Sequence, residues 1–133
     1  MLKLSKRTEY AFMAARYLAL NNSGHYSTAK EIAENYDISH QLVAKILQIL
    51  ARNKIAVSYQ GVKGGYTLNK MADEISLYDI LSAIEDKHTL TKCMNDDEES
   101  CAHLDGCKIR DPLVEIQNKI DNLFQQTTLK QIL

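Results

Sequence analysis

The chain has 133 residues, a formal net charge of −1 and 45% hydrophobic residues, which suits one compact domain with an appendage and excludes a long disordered chain. A polar, basic start (MLKLSKRTEY) and the lack of any run near the roughly 20 apolar residues of a membrane span argue against a secretory leader and a membrane partner. A cytoplasmic location is therefore expected. There thiols stay reduced, so three clustered cysteines point to metal or redox chemistry rather than a disulfide framework. Charge is uneven: residues 1–70 carry ten Lys/Arg against four Asp/Glu, residues 71–133 six against thirteen, a division that suits a protein with one face on phosphates.

Residues 7–20, RTEYAFMAARYLAL, place Tyr10, Ala11, Ala14, Ala15, Tyr17 and Leu18 at helical spacing and predict a first helix. Thr28, with Glu31 three residues on, is a capping box that opens a short second helix through about Glu34, and residues 35–38 form a turn. Ser39 can cap a third helix. Its inward stripe is Leu42, Val43, Ile46, Leu47, Ile49 and Leu50, which leaves His40, Gln41, Ala44, Lys45 and Gln48 outward. Two helices around a turn of four residues, the second with exposed Gln and Lys near its start, make a helix-turn-helix.

Residues 55–60 and 66–69 read as strands around the glycine-rich GVKGG, a hairpin whose tip lets backbone and Lys63 approach a phosphate or the minor groove. A helix-turn-helix followed by such a hairpin is a winged helix. Ser76 and Asp79 repeat the capping signal and open a helix with Leu77, Ile80, Leu81 and Ile84 on one face. Residues 85–108 keep no period and are read as a loop. It holds Cys93, Cys101 and Cys107, with the acidic run Asp96, Asp97, Glu98 and Glu99 between the first two.

Asp111 and Pro112 then start a helix by cap and first-position proline, in which Leu113, Ile116, Ile120, Leu123 and Thr127 form a coiled-coil-like seam. Operators are usually two-fold symmetric, so the expected partner of this seam is the same helix of a second subunit. The predicted organisation is mainly α: a winged helix-turn-helix with a small β-hairpin wing over residues 1–85, a cysteine-containing sensor loop over 86–108, and a dimerisation helix with a C-terminal element over 109–133.

Four stretches carry a family resemblance: LSKRTEYA at residues 4–11, Ile32-Ala33-Glu34 ahead of Ile38-Ser39, the wing GVKGG followed by Tyr66, and Leu129 in the terminal Thr-Leu element. On these the chain resembles, over essentially its whole length, the Rrf-type bacterial transcription regulators. The resemblance implies a homodimeric repressor or activator whose winged helix reads double-stranded DNA and whose C-terminal helix crosses to the other subunit. It also implies an iron-sulphur cluster, [2Fe–2S] or [4Fe–4S], on three loop cysteines, and Cys93, Cys101 and Cys107 fall where those ligands lie.

Two departures from the family pattern concern the cluster. Seven residues separate Cys93 from Cys101, a longer gap than usual, and Arg110 replaces the histidine that IscR-like members carry three residues after the last cysteine. Glu9 aligns with the acidic residue that NsrR-like members supply from the first helix of the opposite subunit, which makes it the leading fourth ligand. His103, Asp105 and His88 are rivals.

In the DNA-reading part, Gln60 stands where the family has arginine before the wing glycine, and Ala44 stands where IscR-like members have glutamate, so a different operator is expected. Gln41 and Lys45 are the base-edge candidates, Gln favouring adenine and Lys guanine. Lys6, Arg7, Arg52, Lys54 and Lys63 are assigned to phosphate, and Thr28, Ser39, His40, Gln48 and Gln60 complete the candidate interface. No enzyme is expected, because paired catalytic carboxylates, a nucleophile with its base and a phosphate loop are all lacking. The expected function is a transcription regulator, acting as a repressor, whose operator affinity follows an iron-sulphur cluster sensing cluster status, redox or nitric oxide. The alternative keeps the DNA binding and uses the cysteines as a thiol-redox or zinc sensor.

Overall fold

The computed structural model describes residues 3–22, 24–86, 88–90 and 108–133; the three cysteines, His103 and Asp105 lie outside the described residues. Helix α1 (Lys6–Leu20) opens where Ser5 Oγ accepts a hydrogen bond from Thr8 N at 3.1 Å. It buries Ala11, Ala14, Ala15 and Leu18, a mostly small-residue face that lets α3 and α4 pack closely against it. Helix α2 (Ala29–Tyr36) is capped by Thr28, whose Oγ1 accepts from Glu31 N at 3.1 Å, and it ends on Asp37 at a left-handed φ of 53°. It runs two residues beyond the expected end, because Tyr36 packs edge-on against Tyr17 of α1 with ring centroids 6.0 Å apart.

Helix α3 (His40–Arg52) buries Val43, Ile46, Leu47 and Leu50, with Leu42 and Ile49 half-buried at the edges of that stripe. Ser39 begins it by position but not by side chain. At Ser5, Thr28 and Ser76, whose side chains do cap, ψ is 153°, 157° and 157°; at Ser39 it is 127°, and no side-chain capping bond forms. Strands β1 (Ala56–Tyr59) and β2 (Gly65–Leu68) pair antiparallel, with Ala56 opposite Leu68 and Tyr59 opposite Gly65. Ser27 adds a bridge to Tyr66 through reciprocal backbone bonds of 2.9 and 2.8 Å, which ties the wing to the start of α2.

Helix α4 (Leu77–Ile84) carries a reciprocal box: Asp79 N donates to Ser76 Oγ at 3.0 Å and Ser76 N donates to Asp79 Oδ2 at 2.9 Å. Helix α5 (Arg110–Gln126) begins two residues before the expected start, with Ile109 rather than Asp111 at the N-cap and no side-chain cap. Pro112 is therefore the third helical residue, where its missing N–H costs nothing because the first turn's donors have no helical acceptor. The α5 seam is divided. Ile116 and Leu123 are 45% and 63% exposed, Leu113, Ile120 and Thr127 are half-buried, and the one buried residue of the helix is Gln117.

The core joins Leu18, Ile32, Ile46, Leu47, Leu50, Ile75 and Ile80 to Leu129, which lies in a short 3-10 turn (Leu129–Ile132) after α5. That turn is held by Leu77 N donating to Thr127 O and Leu129 N donating to Ile75 O, both at 2.8 Å, and by Arg16 Nε donating to Ile132 O at 3.0 Å. Replacing the fully buried Leu129 by alanine removes apolar contacts and leaves a cavity, so Leu129→Ala is expected to lower unfolding free energy by about 2–5 kcal/mol in a denaturant titration.

Candidate nucleic-acid interface and sensor-loop anchors

Helix α3 presents His40, Gln41, Lys45 and Gln48 to solvent, with Ala44 half-buried among them. Its opposite face is fixed in the core, so the exposed stripe is a rigid platform with two amide-bearing side chains and one ammonium, the groups that read adenine and guanine edges. Ser39 is exposed at the start of the same helix. The Thr28 hydroxyl accepts the capping bond at α2 and keeps its own proton available as a donor. The end of α3 leads straight into the wing: Lys54 N donates to Ala51 O at 3.1 Å and Ile55 N to Leu50 O at 2.9 Å, with Lys54 at φ 61° and its carbonyl accepting from Asn69 Nδ2 at 2.9 Å.

Within the wing Gln60, Gly61, Val62 and Lys63 are all exposed. The glycines serve internal packing as much as the tip. A Cβ on Gly64 would sit 2.4 Å from Tyr59 O, and one on Gly65, whose φ is 153°, would sit 2.7 Å from Ser27 O. Tyr26 stacks on Tyr59 at the base of the hairpin, with ring centroids 4.0 Å apart and planes 25° from parallel. This pair was not among the sequence candidates; its signal lay in the register, because Tyr59 faces Gly65 and Ser27 bridges to Tyr66.

Near the N-terminus, Lys6 and Arg7 begin α1, and Lys6 Nζ donates to Glu9 Oε2 at 2.8 Å. That bond holds the Lys6 ammonium above its ordinary range, so Lys6 is already paired with Glu9 before any phosphate or iron is considered. Glu85, at the end of α4, was missed by the sequence reading. Its carboxylate accepts from the hydroxyls of Ser5 and of Thr8, the latter at 2.6 Å, and so sits at the positive end of α1. The Ser5 bond first, then the Thr8 bond, with smaller help from Arg7 and His88, hold the Glu85 carboxyl below its ordinary range against the opposing effect of partial burial.

Gln117 is the second anchor that sequence reasoning missed. It is 7% exposed; its Oε1 accepts from Leu90 N at 2.7 Å, and its Nε2 donates to Asp121 Oδ1 at 2.8 Å and more weakly to His88 O at 3.4 Å. A glutamine inside an otherwise apolar helical stripe was the available signal, since a buried amide needs backbone partners. Gln117 thus fastens residues 88–90, which lead into the cysteine segment, to α5. Beside it lies a cavity of about 670 Å³ whose lining includes Leu81, Glu85, His88, Leu90, Ile120 and Phe124. Among the described residues no three His, Cys, Asp or Glu side chains are grouped as a metal site would need.

A helix-turn-helix whose second helix exposes Gln41, Lys45 and Gln48 and runs directly into a glycine wing defines a winged-helix DNA-binding protein. Residues 4–133 match the family described as Rrf2, iron-dependent transcriptional regulator, and the chain belongs to that family. Over 131 residues it is 30% identical to "Protein aau3" of Rhizobium meliloti, covering 98% of this chain and 84% of that protein. Over 132 residues it is 27% identical to the HTH-type transcriptional regulator NsrR of Halalkalibacterium halodurans, covering 99% and 90%. Among solved structures it is similar to CymR of B. subtilis, named as the global cysteine regulator (TM-score 0.78, 23% identity, 99% and 96% covered). It is also similar to IscR of T. potens (TM-score 0.77, 21% identity, 98% and 85% covered). The chain is a transcription regulator and not an enzyme.

Two measurements check this geometry. Gly65→Ala is strained in φ and collides with backbone, so it is expected to destabilise the fold by about 1–3 kcal/mol and weaken DNA binding by more than its loss of folded fraction explains, read by paired melting and binding titrations. For Glu85, a depressed folded-state value means its stabilisation is fully present above the ordinary range near 4.5 and is lost as pH falls through the lower value. Glu85→Gln should therefore flatten the decline of melting temperature below about pH 4.5 relative to the unsubstituted protein, while costing about 1 kcal/mol at neutral pH.

Proposed function

We propose that this chain is a homodimeric repressor whose operator affinity is set by an iron-sulphur cluster on Cys93, Cys101 and Cys107. The observation that carries the reading is the anchoring of both ends of the cysteine segment. On its N-terminal side Glu85 bonds the start of α1 and Gln117 bonds Leu90, and on its C-terminal side it runs into α5, whose Ile116 and Leu123 stay exposed. Three thiolates in a reducing compartment are the donor set that iron-sulphur clusters take. When bound, the cluster supplies a labile crosslink among loop thiolates that iron supply, oxidants or nitric oxide can break.

The residues of this chain do the rest. The exposed apolar edge of α5, with Leu113 beside it, pairs with its copy in a second subunit and sets the spacing of two α3 helices along two-fold symmetric DNA. A loop change transmitted through Gln117 and Glu85 shifts that spacing, and a coupling of about 1–3 kcal/mol would change affinity about 5- to 150-fold. Gln41 and Lys45 read base edges, while Arg7, Arg52, Lys54 and Lys63 meet phosphate, with Lys6 joining them on release from Glu9. Thr28, Ser39, His40, Gln48 and Gln60 add polar contacts at the rim. Glu9, reaching across from a second subunit, would leave the same ion pair to serve as fourth ligand. A second reading, a thiol sensor without iron, draws support from the likeness to CymR, the cysteine regulator.

Anaerobically purified protein separates the two. The cluster reading expects brown protein with iron and sulphide, and alanine at any of the three cysteines should bleach it and change affinity for an operator selected from random duplexes. Colourless, iron-free protein whose DNA binding responds to thiol oxidants would replace it with the thiol reading. On that operator Gln41→Ala should cost about 1–3 kcal/mol and relax preference at one base pair, whereas Lys63→Ala should weaken all sequences alike and reduce the log–log salt slope by about 1.

A further inference from the structure

Two tyrosines meet where the wing joins the start of α2. Tyr26 and Tyr59 stack with ring centroids 4.0 Å apart and planes 25° from parallel, yet the pair is not sealed in the core: Tyr59 is 45% exposed and Tyr26 half-buried. The stacked rings serve packing, but the hydroxyls are a separate matter. Among the described residues neither phenol donates to a carbonyl or a carboxylate, and the neighbour of the Tyr26 hydroxyl is that of Tyr59. That hydroxyl first, and desolvation second, hold the Tyr26 phenol above its ordinary range, so Tyr26 keeps its proton at neutral pH. Two phenols hold two protons, and at most one is spent between them, so at least one O–H is left to donate outward.

The position of the pair is fixed by its neighbours. Ser27, next to Tyr26, exchanges backbone bonds of 2.9 and 2.8 Å with Tyr66, and Tyr59 lies opposite Gly65 in the hairpin. A Cβ on Gly65 would come within 3.1 Å of the Tyr26 backbone, so the glycine is what lets Tyr26 lie this close to the wing. In a helix-turn-helix the first helix crosses the nucleic-acid backbone while the second enters the major groove. Because the wing is tied to the beginning of that first helix, the tyrosine pair lies beside the strand that runs between the groove read by α3 and the groove met by the wing. Exposed Thr28 caps α2 at the same corner, and Glu31, the acid of its first turn, is engaged by the Tyr17 hydroxyl of α1 at 3.0 Å.

We propose that Tyr26 and Tyr59 form a neutral phosphate-binding pair, in which the stack fixes the two phenols and their outward O–H donates to one phosphate of the duplex. The inference goes beyond the regulatory reading above and needs neither iron nor the cysteines. A phenol brings no positive charge and releases no counterion, so the pair adds affinity and places the wing without contributing to sequence preference or to salt dependence.

The test uses full-length protein and two duplexes, one selected from random sequence and one unrelated, with the protein in the state used for the selection. Phenylalanine at both positions keeps the stack and removes the hydroxyls. The melting temperature should hold, affinity for both duplexes should fall about tenfold, and the log–log salt slope should stay as it is, in contrast to Lys63→Ala. Single methylphosphonates placed in turn along the selected duplex should reveal one position that weakens the unsubstituted protein markedly and the Tyr26→Phe/Tyr59→Phe variant little. Unchanged affinity of that variant overturns the proposal and leaves the stack as a brace within the fold, a role that Tyr59→Ala would expose as a lower melting temperature. A loss confined to the selected duplex overturns it in favour of base readout. It is overturned too if no methylphosphonate position distinguishes the two proteins.

Discussion

Two backbone hydrogen bonds of 2.8 Å, Leu77 N to Thr127 O and Leu129 N to Ile75 O, hold the end of α5 against the start of α4. They flank the bridge between Ser76 and Thr128 and place Leu129 in the core beside Ile75 and Ile80. They add to the packing of α5 on α4 and to the bonds that Gln117 makes with residues 88–90. With them, its far end is fixed, and its near end is positioned by Gln117 and the residues entering that segment. A helix held in this way has the direction of its exposed apolar edge, Ile116 and Leu123, fixed by the rest of the fold.

The DNA-reading half is stiff by comparison. Val43, Ile46, Leu47 and Leu50 leave α3 little freedom, the reciprocal bonds between Ser27 and Tyr66 tie the hairpin back to α2, and close backbone contacts at Gly64 and Gly65 compact the wing. Glu85 joins the two halves, since its carboxylate closes on the first turn of α1 immediately before the chain enters the cysteine segment. Lys6 and Arg7, the cationic start of that helix, lie beside it in sequence.

Much of this was legible along the chain. Thr28–Glu31 and Ser76–Asp79 are local signals: the second forms the full reciprocal box, whereas at the first Thr28 caps but the Glu31 carboxylate accepts from the Tyr17 hydroxyl at 3.0 Å instead of closing the box. The hairpin was visible because glycines and alternating strands act over a few residues. Ser39 looked equally good as a cap but makes no side-chain bond, since its ψ is set by the tight turn after Asp37 rather than by its own preference. The α5 start shifted by two residues because a proline is tolerated anywhere in a first turn. The seam was correctly seen as apolar, but its division between half-buried Ile120 and exposed Ile116 and Leu123 depends on how α4 lies against it.

Sequence by itself determined the elements, the exposed amide and ammonium groups of α3, the three thiols and the family, because helical period, capping and motif spacing are properties of neighbouring residues. Tertiary structure alone decided which side chains join distant segments. Glu85 lies 77 residues from Thr8, Gln117 lies 27 from Leu90, and Leu129 reaches back to Ile75. Nothing local marks a glutamate as a cap on another helix, and the place of Gln117 in an apolar stripe signals that it needs partners without saying which. Those roles arise from desolvation and hydrogen-bond satisfaction, which exist only once the chain has closed around them.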